Sequence, residues 1–426
     1  GKVLPGYMFT DNGFWDTFRA VFPFFNLMYR DLTTQIMEGL ANTYRESGWL
    51  PEWASPGHRD CMIGSNSAPI IVDAYMKGNV AEEDVQVLWE ALLKNANVEA
   101  GRPHTSVGRE GLNYYNKLGY VPYDVNIREN TARTLEYAFA DFALAEMAEK
   151  RGDKNLAKRF YQQAQNYKNV FDPSTDLMRG KNEDGTFQSP FNPLKWGDAF
   201  TEGNSLHYTW SVFHDVQGLI DLMGGKQEFV DQLDGVFTMP PDFDASYYGQ
   251  TIHEIREMQI VNMGNYAHGN QPIQHMTYLY NHAGTPYKAQ AKIREVLTKL
   301  YAPTPDGYCG DEDNGQTSAW YVFSALGFYP VTPVTDEYVI GSPLFDQATL
   351  KLENGKVFVI NAENNAPDNS YIQKTELNGE LYEANFLKYD DIMKGGTLKF
   401  KMSDQPNFEK GTNKEDLPYS WSLKTE

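Results

Sequence analysis

Apolar residues recur at helical spacing from residue 14 to residue 330. Side chains three and four positions apart share one face of a helix, so this period predicts amphipathic helices joined by loops. The clearest run extends from Thr131 to Lys150 with Gly152 placed to end it, and Ser205 is placed as the N-cap of a later helix. The predicted helices cover residues 14–29, 31–47, 67–77, 82–96, 131–151, 154–170, 205–223, 225–234, 253–263, 271–283, 286–301 and 316–327.

The pattern changes after Pro330, where short stretches alternate between apolar and polar residues. Alternation with a period of two predicts strands, and Asn-Gly turn signals such as Asn354–Gly355 separate the stretches. We therefore expect a mainly α-helical domain over residues 1–330 and a small antiparallel β-sandwich over residues 331–426. The predicted strands cover residues 338–341, 348–352, 356–362, 371–377 and 397–402.

Length and charge restrict the class of protein. A chain of 426 residues is long enough for two domains, or for one large helical domain with an appendage. The net charge of −20 argues against binding to nucleic acid or to an anionic membrane surface, because both would repel it. No stretch approaches the roughly 18 uninterrupted apolar residues of a membrane-spanning helix. Aromatic residues make up 14% of the chain, which fits either a large core or a cleft whose flat rings stack on sugars.

Cysteine and histidine usage excludes the common zinc and redox motifs. Cys61 and Cys309 are the only cysteines and form no Cys-x-x-Cys pair, so we expect two buried, inert thiols. The motifs His-x-x-x-His and His-Glu-x-x-His do not occur. The chain starts at Gly1 without a signal-peptide pattern, so any signal segment is expected to lie outside it.

Three carboxylates stand in a row at Asp311, Glu312 and Asp313, ahead of a predicted helix. Adjacent acids repel one another, and they are tolerated when water solvates them, when one keeps its proton, or when a cation lies among them. An EF-hand does not fit, because Gly315 occupies the fifth loop position and no Glu occupies the twelfth. A solvated turn and a cation site both stay open.

Glu202 precedes Gly203 and Asn204 in a predicted loop. Taken alone, a Glu in a loop is usually only a solvated charge. Hydrolysis of a glycoside, however, requires one carboxyl that keeps its proton and a second that stays ionised. Glu202 and the acids at 311–313 are therefore candidates for this acid and this base.

The remaining candidates stand at predicted helix boundaries or turns. Glu254 follows His253 at a helix start, where the helix dipole favours a Glu in the first turn. Asn270 is an ordinary turn residue unless it binds a ligand, and Trp15 and Asp16 could serve as a hydrophobic staple and an N-cap. A structural role and a binding role stay open for each of them.

Taken together, these segments resemble glycoside hydrolase family 92, the calcium-dependent exo-acting α-mannosidases. The resemblance extends from Thr10 to the last predicted strands and covers nearly the whole chain. Its motifs are long and specific, and they cover residues 11–19, 61–64, 136–143, 167–173, 202–204, 214–220 and 310–331.

The resemblance implies a fold and a location. It implies an (α/α)6 toroid followed by a C-terminal β-sandwich part, in agreement with the two patterns above. It also implies a large N-terminal β-sandwich domain that packs on the toroid, and we expect that domain to lie outside this sequence. A protein of this family is expected to be secreted, periplasmic or attached to the cell surface.

The resemblance also implies roles for individual residues. Glu202 matches the general acid, and Asp311 and Asp313 match the pair that activates the water molecule. Asn270 and Asp313, with Glu257 as a weaker candidate, match the calcium side of the site.

Contacts to the sugars are implied at five further positions. Trp15, Asp16 and Arg59 are expected to contact the terminal mannose. His253 and Glu254 resemble the contacts to the leaving sugar in the α-1,2-selective members.

The function expected from the resemblance is inverting, calcium-dependent hydrolysis of terminal α-1,2-linked mannose from N-glycans or mannan. Another linkage (α-1,3, α-1,4 or α-1,6) and a mannosyl phosphodiester, whose leaving group needs no proton, stay open as substrates. A non-catalytic mannan-binding protein is the alternative from another class. Such a protein would not need both Glu202 and the acids at 311–313.

Overall fold

The computed structural model describes residues 3–100 and 107–425. The chain forms two compact units, each built from separate stretches of sequence. The first unit comprises Gly1–Phe18, Tyr29–Val212 and Asp242–His253, and the second comprises Arg19–Met28, Phe213–Pro241 and Glu254–Glu426.

Helices dominate the chain up to residue 326. The α-helices of the described ranges are α1 (Phe14–Thr17), α2 (Val21–Met28), α3 (Arg30–Ser47), α4 (Ser67–Met76), α5 (Glu82–Asn97), α6 (Leu112–Leu118), α7 (Asn130–Lys150), α8 (Lys154–Ala164), α9 (Ser205–Tyr208), α10 (Val216–Leu222), α11 (Lys226–Thr238), α12 (His253–Val261), α13 (Pro286–Lys299), α14 (Gln316–Leu326), α15 (Tyr389–Met393) and α16 (Trp421–Thr425). Short 3-10 helices cover Gln165–Val170, Gln271–Ile273, Met276–Asn281 and Lys414–Asp416.

Strands are concentrated in the C-terminal part of the second unit. In the described ranges they are β1 (Asn12–Gly13), β2 (Trp53–Ala54), β3 (Phe171–Asp172), β4 (Leu177–Met178), β5 (Phe328–Tyr329), β6 (Glu337–Ile340), β7 (Gln347–Lys351), β8 (Val357–Glu363), β9 (Tyr371–Leu377), β10 (Glu380–Leu381), β11 (Phe386–Lys388) and β12 (Gly396–Ser403). A mainly α-helical chain with a β-rich C-terminal region is confirmed. The toroidal arrangement and the domain boundary at residue 330 stay predictions.

The predicted helices differ from the structure at a few places. Residues 209–215 separate α9 from α10, because Asp215 caps a new helix by accepting a hydrogen bond from the Gly218 amide at 3.2 Å. The N-cap of α9 is Asn204 and not Ser205. Its side chain accepts from the His207 amide, and the His207 ring accepts from the Asn204 amide, which forms a capping box.

Helix α7 is buried over almost its whole length, and α4 and α8 pack against it in the first unit. Its alanines allow neighbouring helices to approach closely on all sides. The buried Asp141 of this helix accepts from Arg109 Nη1 at 2.7 Å and from the Tyr115 hydroxyl at 2.8 Å. A buried carboxylate is tolerated only with such partners, so this network joins α7 to α6 and the segment before it.

Glu52 connects its own segment to α4 and α5 in the first unit. Its carboxyl accepts from the Ser67 amide at 2.9 Å, from the Ser67 hydroxyl at 2.8 Å and from Asn95 Nδ2 at 3.0 Å. The first of these bonds satisfies an amide at the start of α4, which no helical carbonyl can reach. Burial nevertheless raises the pKa of Glu52 to about 7.

Asp215 has a similar role in the second unit. Beside the Gly218 amide, its carboxylate accepts from the Ser420 hydroxyl at 2.9 Å and from the Ser422 amide and hydroxyl, both at 2.9 Å. These bonds attach the C-terminal segment, and α16 packs against α10.

Aromatic side chains form much of the core of the second unit. The Phe323 ring of α14 packs edge to face on Phe24 of α2, with centroids 5.6 Å apart, and on Phe328 of β5 at 5.8 Å. Phe328 in turn contacts Tyr338 of β6 at 5.6 Å. Each such pair adds stability beyond the area that it buries.

Two sheets make up the β-rich region, with strand orders β10-β9-β12-β8-β7 and β11-β6-β5. The expectation of a purely antiparallel arrangement is wrong, because β12 runs parallel to β8 from Gly396↔Phe358 to Lys401↔Glu363. A parallel pair needs a long connection, and residues 364–395 supply it. Among the described residues, no helix combines the length and apolar character required to span a membrane.

Candidate functional site

The loop that carries Glu202 has a strained backbone. Glu202 lies in the left-handed region at φ 46°, which costs a residue with a Cβ atom about 1–2 kcal/mol. The peptides beside it are fixed, because the Gly197 amide donates to the Gly203 carbonyl at 2.9 Å and the Tyr208 hydroxyl donates to the Thr201 carbonyl at 2.7 Å. The Glu202 amide itself donates to the Tyr248 hydroxyl oxygen at 3.1 Å.

A cavity of about 570 Å³ lies in the first unit beside this loop. That volume is in the range of small-molecule binding sites. Four of its lining residues have left-handed backbones, namely Met62 (φ 57°), Asn126 (φ 59°), Glu129 (φ 57°) and Glu202 (φ 46°). Such strain concentrates at functional sites. The lining consists of Asp60, Cys61, Met62, Glu110, Asn126, Arg128, Glu129, Arg133, Thr201, Glu202 and Tyr248.

The charges that line the cavity are predominantly negative. The Arg133 guanidinium lies 3.2 Å from a carboxylate oxygen of Glu110 and 3.2 Å from one of Glu129, so its charge is offset by its neighbours. With Asp60, Glu202 and Arg128 included, four carboxylates face two guanidinium groups. Such a lining favours a neutral or cationic ligand over an anionic one.

The two thiols are free, as expected, and both are partly rather than fully buried. Burial raises the pKa of the Cys61 thiol, against the opposing effect of Arg59, and it raises the pKa of Cys309 to about 12. A thiol with a raised pKa keeps its proton and is a poor nucleophile. Cys61 therefore contributes shape to the cavity and no nucleophilic chemistry.

The other predicted sugar contacts of the first unit lie in different environments. Trp15 and Asp16 are buried in α1, whereas Arg59 and His253 are exposed. The N-cap of α1 is Gly13, so Asp16 does not cap this helix. Their contacts to a sugar stay predictions.

In the second unit the three adjacent acids have different environments. Glu312 is engaged at the start of α14, whose N-cap is Gly315, because its carboxylate accepts from the Gly315 amide at 2.9 Å and from the Ser318 hydroxyl at 2.5 Å. Asp311 is exposed, and Asp313 is partly buried with a left-handed backbone at φ 49°. The structure therefore gives Glu312 a structural function and leaves Asp311 and Asp313 as the candidates for chemistry.

Like charges crowd around Asp313. Burial and the negative charge of Asp311 raise the pKa of Asp313 to about 6, and the Gln271 side chain acts in the opposite direction. The buried Glu254 contributes further negative charge, and carboxylate oxygens of Glu254 and Asp311 lie within 4.8 Å of each other. A divalent cation bound by oxygen ligands would relieve this repulsion, so the residues present fit calcium.

Close backbone contact holds the Asn270 loop beside the acidic turn. A Cβ atom on Gly310 would lie 2.5 Å from Gly269 Cα and 2.7 Å from a carboxylate oxygen of Glu257, so only glycine fits there. Asn270 is buried and caps the next 3-10 helix through its side-chain oxygen, which accepts from the Gln271 amide at 3.1 Å. A carboxylate oxygen of Glu257 thus lies beside both Gly269 and Gly310, which precede Asn270 and Asp313 in the sequence.

Most residues that line the cavity are not among the predicted site residues. Glu202 was the only lining residue among the predicted site residues. Arg128 and Arg133 lie at the start of α7, and no sequence motif there marks them as site residues. The left-handed backbones at Asn126 and Glu129 could not be predicted from the neighbouring sequence either. Two signals were available, namely the Tyr247–Tyr248–Gly249 turn, in which Tyr247 is exposed, and the family motif at residues 61–64, which contains Cys61 and Met62.

Comparison with known proteins identifies the family. A profile of the glycosyl hydrolase family 92 catalytic domain matches residues 2–404. Among solved structures, the chain is similar to a family GH92 inverting mannosidase from Bacteroides thetaiotaomicron VPI-5482, with 50% identity and a TM-score of 0.91 over 99% of this chain and 57% of that one. It is also similar to a family GH92 α-mannosidase from Bacteroides thetaiotaomicron, with 35% identity and a TM-score of 0.88 over 99% of this chain and 53% of that one.

A curated relative is also matched over most of this chain and about half of its own length. An uncharacterized secreted glycosidase of Arthroderma benhamiae is 27% identical over 417 residues, which cover 89% of this chain and 50% of the relative. The chain thus spans about half the length of the proteins that it matches.

The backbone strain at Glu202 can be measured by comparing the stabilities of its alanine and glycine variants. Strain should reverse the usual order, in which the alanine variant is the more stable. Because glycine adopts a left-handed backbone without steric cost, Glu202→Gly should be more stable than Glu202→Ala by about 1 kcal/mol. At Glu90, an exposed residue within α5, Glu90→Gly should be about 1 kcal/mol less stable than Glu90→Ala. Urea denaturation of the four variants measures both differences, and the same sign at both positions would show that Glu202 is not strained.

Proposed function

The chain belongs to glycosyl hydrolase family 92, and on this premise we propose that it is the catalytic part of an exo-acting α-mannosidase. The proposed reaction is inverting, calcium-dependent removal of terminal α-1,2-linked mannose from N-glycans or mannan. The observation that carries the proposal is 50% identity to an inverting mannosidase over 99% of this chain. A carboxyl group on a strained loop beside a cavity supports it independently.

Inversion needs two carboxyl groups with different tasks. One donates a proton to the leaving oxygen, and the other removes a proton from the attacking water. We assign the first task to Glu202, which lines the cavity and is only partly exposed. Asp311 and Asp313 are assigned the second, since the Glu312 carboxylate is already hydrogen-bonded at the start of α14.

Calcium ligands are proposed among the oxygens of the second unit. Asn270, Asp313 and, more weakly, Glu257 would hold the ion, and the crowding of Asp311 and Glu254 around Asp313 supports a cation there. When bound, such an ion supplies positive charge that holds two vicinal hydroxyls of the terminal mannose and favours a flattened ring.

Two features of the first unit bear on the alternatives. The excess of carboxylates in the cavity disfavours a mannosyl phosphodiester, which would bring a further negative charge. A mannan-binding protein without activity would have no use for a strained acid at Glu202. Hydrolysis of a neutral mannoside is therefore the preferred function.

The location of the enzyme, its partner domain and its contacts to the terminal mannose are also part of the proposal. Secretion is supported by the secreted glycosidase to which the chain is similar. The expected N-terminal β-sandwich domain remains a proposed partner, and exposed apolar side chains of Val3, Leu4 and Met8 in the first unit are suited to such a contact. Trp15, Asp16 and Arg59 are proposed to contact the terminal mannose.

Activity and stereochemistry test the proposal directly. The intact enzyme should release mannose from α-1,2-mannobiose, and NMR should show β-mannose as the first product. Glu202→Gln should lower kcat roughly 10²–10⁴-fold, because an amide cannot donate the required proton. The α-anomer as first product would contradict inversion, and full activity of Glu202→Gln would remove this residue from the mechanism.

Calcium binding should be visible without any activity assay. Calorimetric titration of the chelated protein with Ca²⁺ should show one site, and saturation at about 100 times Kd should add about 2.7 kcal/mol of stability. Asp313→Asn should weaken this binding strongly. Asp306→Asn removes the same charge from an exposed position of the preceding loop and should leave it unchanged. Equal weakening by both variants would indicate general electrostatics and no site.

Linkage preference is proposed to depend on His253 and Glu254 at the start of α12. A polar group left unpaired by the wrong linkage costs about 1–3 kcal/mol. Glu254→Ala should therefore lower kcat/KM on α-1,2-mannobiose much more than on an aryl mannoside, whose leaving group lacks the sugar hydroxyls. Equal losses on the two substrates, or a native preference for α-1,3 linkages, would show that His253 and Glu254 do not select the linkage and only begin the helix.

A further inference from the structure

The strained loop at Glu202 is fixed by a side chain from a distant part of the first unit. The peptides on either side of Glu202 are held by hydrogen bonds within residues 197–208. The Glu202 amide, in contrast, donates to the hydroxyl oxygen of Tyr248, which is 46 positions away in the sequence. A left-handed conformation persists only where its surroundings determine it. The Tyr248 bond acts directly on the residue that carries the carboxyl.

The Tyr248 ring is itself held firmly. It packs edge to face on Tyr247 with centroids 5.2 Å apart. Both rings lie against Gly197, where a Cβ atom would be 2.3 Å from Tyr247 Cδ1 and 2.9 Å from Tyr248 Cζ. Gly197 also has φ 80°, so a side chain is disfavoured there twice over. The two tyrosine rings therefore pack closely against the Glu202 loop at Gly197.

Backbone hydrogen bonds attach the segment that carries Tyr248. The Trp196 amide donates to the Asp244 carbonyl at 2.9 Å, and the Asp244 amide donates to the Leu194 carbonyl at 2.9 Å. The Asn192 side chain donates to the Asp244 carboxylate at 2.9 Å. The segment at 242–249 is thus docked on the residues that lead into the Glu202 loop, and Tyr248 has a defined position despite lying in a loop.

We propose that Tyr248 is a positioning residue for Glu202: its hydroxyl oxygen fixes the Glu202 peptide and thereby the direction in which the carboxyl enters the cavity. The inference rests on the proposed role of Glu202 as the acid. Both residues line the same cavity, so a rotation of the Glu202 peptide would move the carboxyl relative to a bound glycoside. Small displacements of an acid lower the rate of the step that needs its proton.

The dependence on the leaving group tests this inference in the intact enzyme. Tyr248→Phe keeps the ring and removes the acceptor of the Glu202 amide. It should lower kcat on α-1,2-mannobiose roughly 10–100-fold with little change in KM. On 2,4-dinitrophenyl α-mannoside, whose leaving group departs without a proton, the loss should be less than about threefold. Tyr247→Phe keeps the same ring contact, has no bond to Glu202 and should behave as the unchanged enzyme on both substrates.

Glu202→Gln separates failure of the inference from failure of the proposed function. If Glu202→Gln is selectively defective on mannobiose while Tyr248→Phe is fully active, Tyr248 does not position the acid and the inference is overturned. Equal losses of Tyr248→Phe on both substrates would also overturn it, because they would indicate a general structural effect. If Glu202→Gln shows no selectivity between the substrates, the assigned acid is wrong, and the proposed function fails first.

Discussion

Burial of carboxyl groups is the constraint on which much of this structure depends. The chain has 57 Asp and Glu residues against 37 Lys and Arg residues, and several of the acids lie inside it. Removing a carboxylate from water costs several kcal/mol unless hydrogen bonds or a cation replace the water. Asp141 meets this demand with an arginine and a tyrosine, Glu52 with a helix amide and two side chains, and Asp215 with two serines. Each solution joins segments that are far apart in sequence.

The acidic turn at residues 311–313 also has to compensate the charge of its carboxylates, and it does so differently at Glu312 and at Asp313. The Glu312 carboxylate accepts hydrogen bonds at the start of α14, so its charge has a structural purpose. Asp313 is not relieved in this manner, and its pKa rises to about 6 because burial and neighbouring acids oppose its charge. A retained proton and a bound cation are alternative answers to that repulsion. The oxygen-rich surroundings favour the cation, which is why the proposed calcium site lies here.

Around the cavity of the first unit, backbone strain is a second constraint beside buried charge. Four lining residues have left-handed backbones, although none of them is glycine. The strain at Glu202 is supported by a tyrosine from a segment docked through backbone hydrogen bonds. Rigid neighbours therefore hold the Glu202 carboxyl group in a conformation that a free loop would leave, and the proposed proton donation depends on such preorganisation.

Sequence alone determined most of the longer helices, the five longest strands, the change of hydrophobic pattern near residue 330, the family, and the loops that carry Glu202 and the acids at 311–313. Periodicity and motif spacing report local burial and chemistry, so these features can be recognised from the residues themselves. The sequence did not predict α6, α15, α16 or the short strands. Only the tertiary structure decided that Glu312 accepts from the Gly315 amide at the start of α14, that β12 pairs in parallel with β8, and that the Glu202 amide donates to Tyr248. The physical reason is that each of these contacts joins atoms through a turn geometry or across a long stretch of chain, and their energies depend on packing that no local pattern encodes.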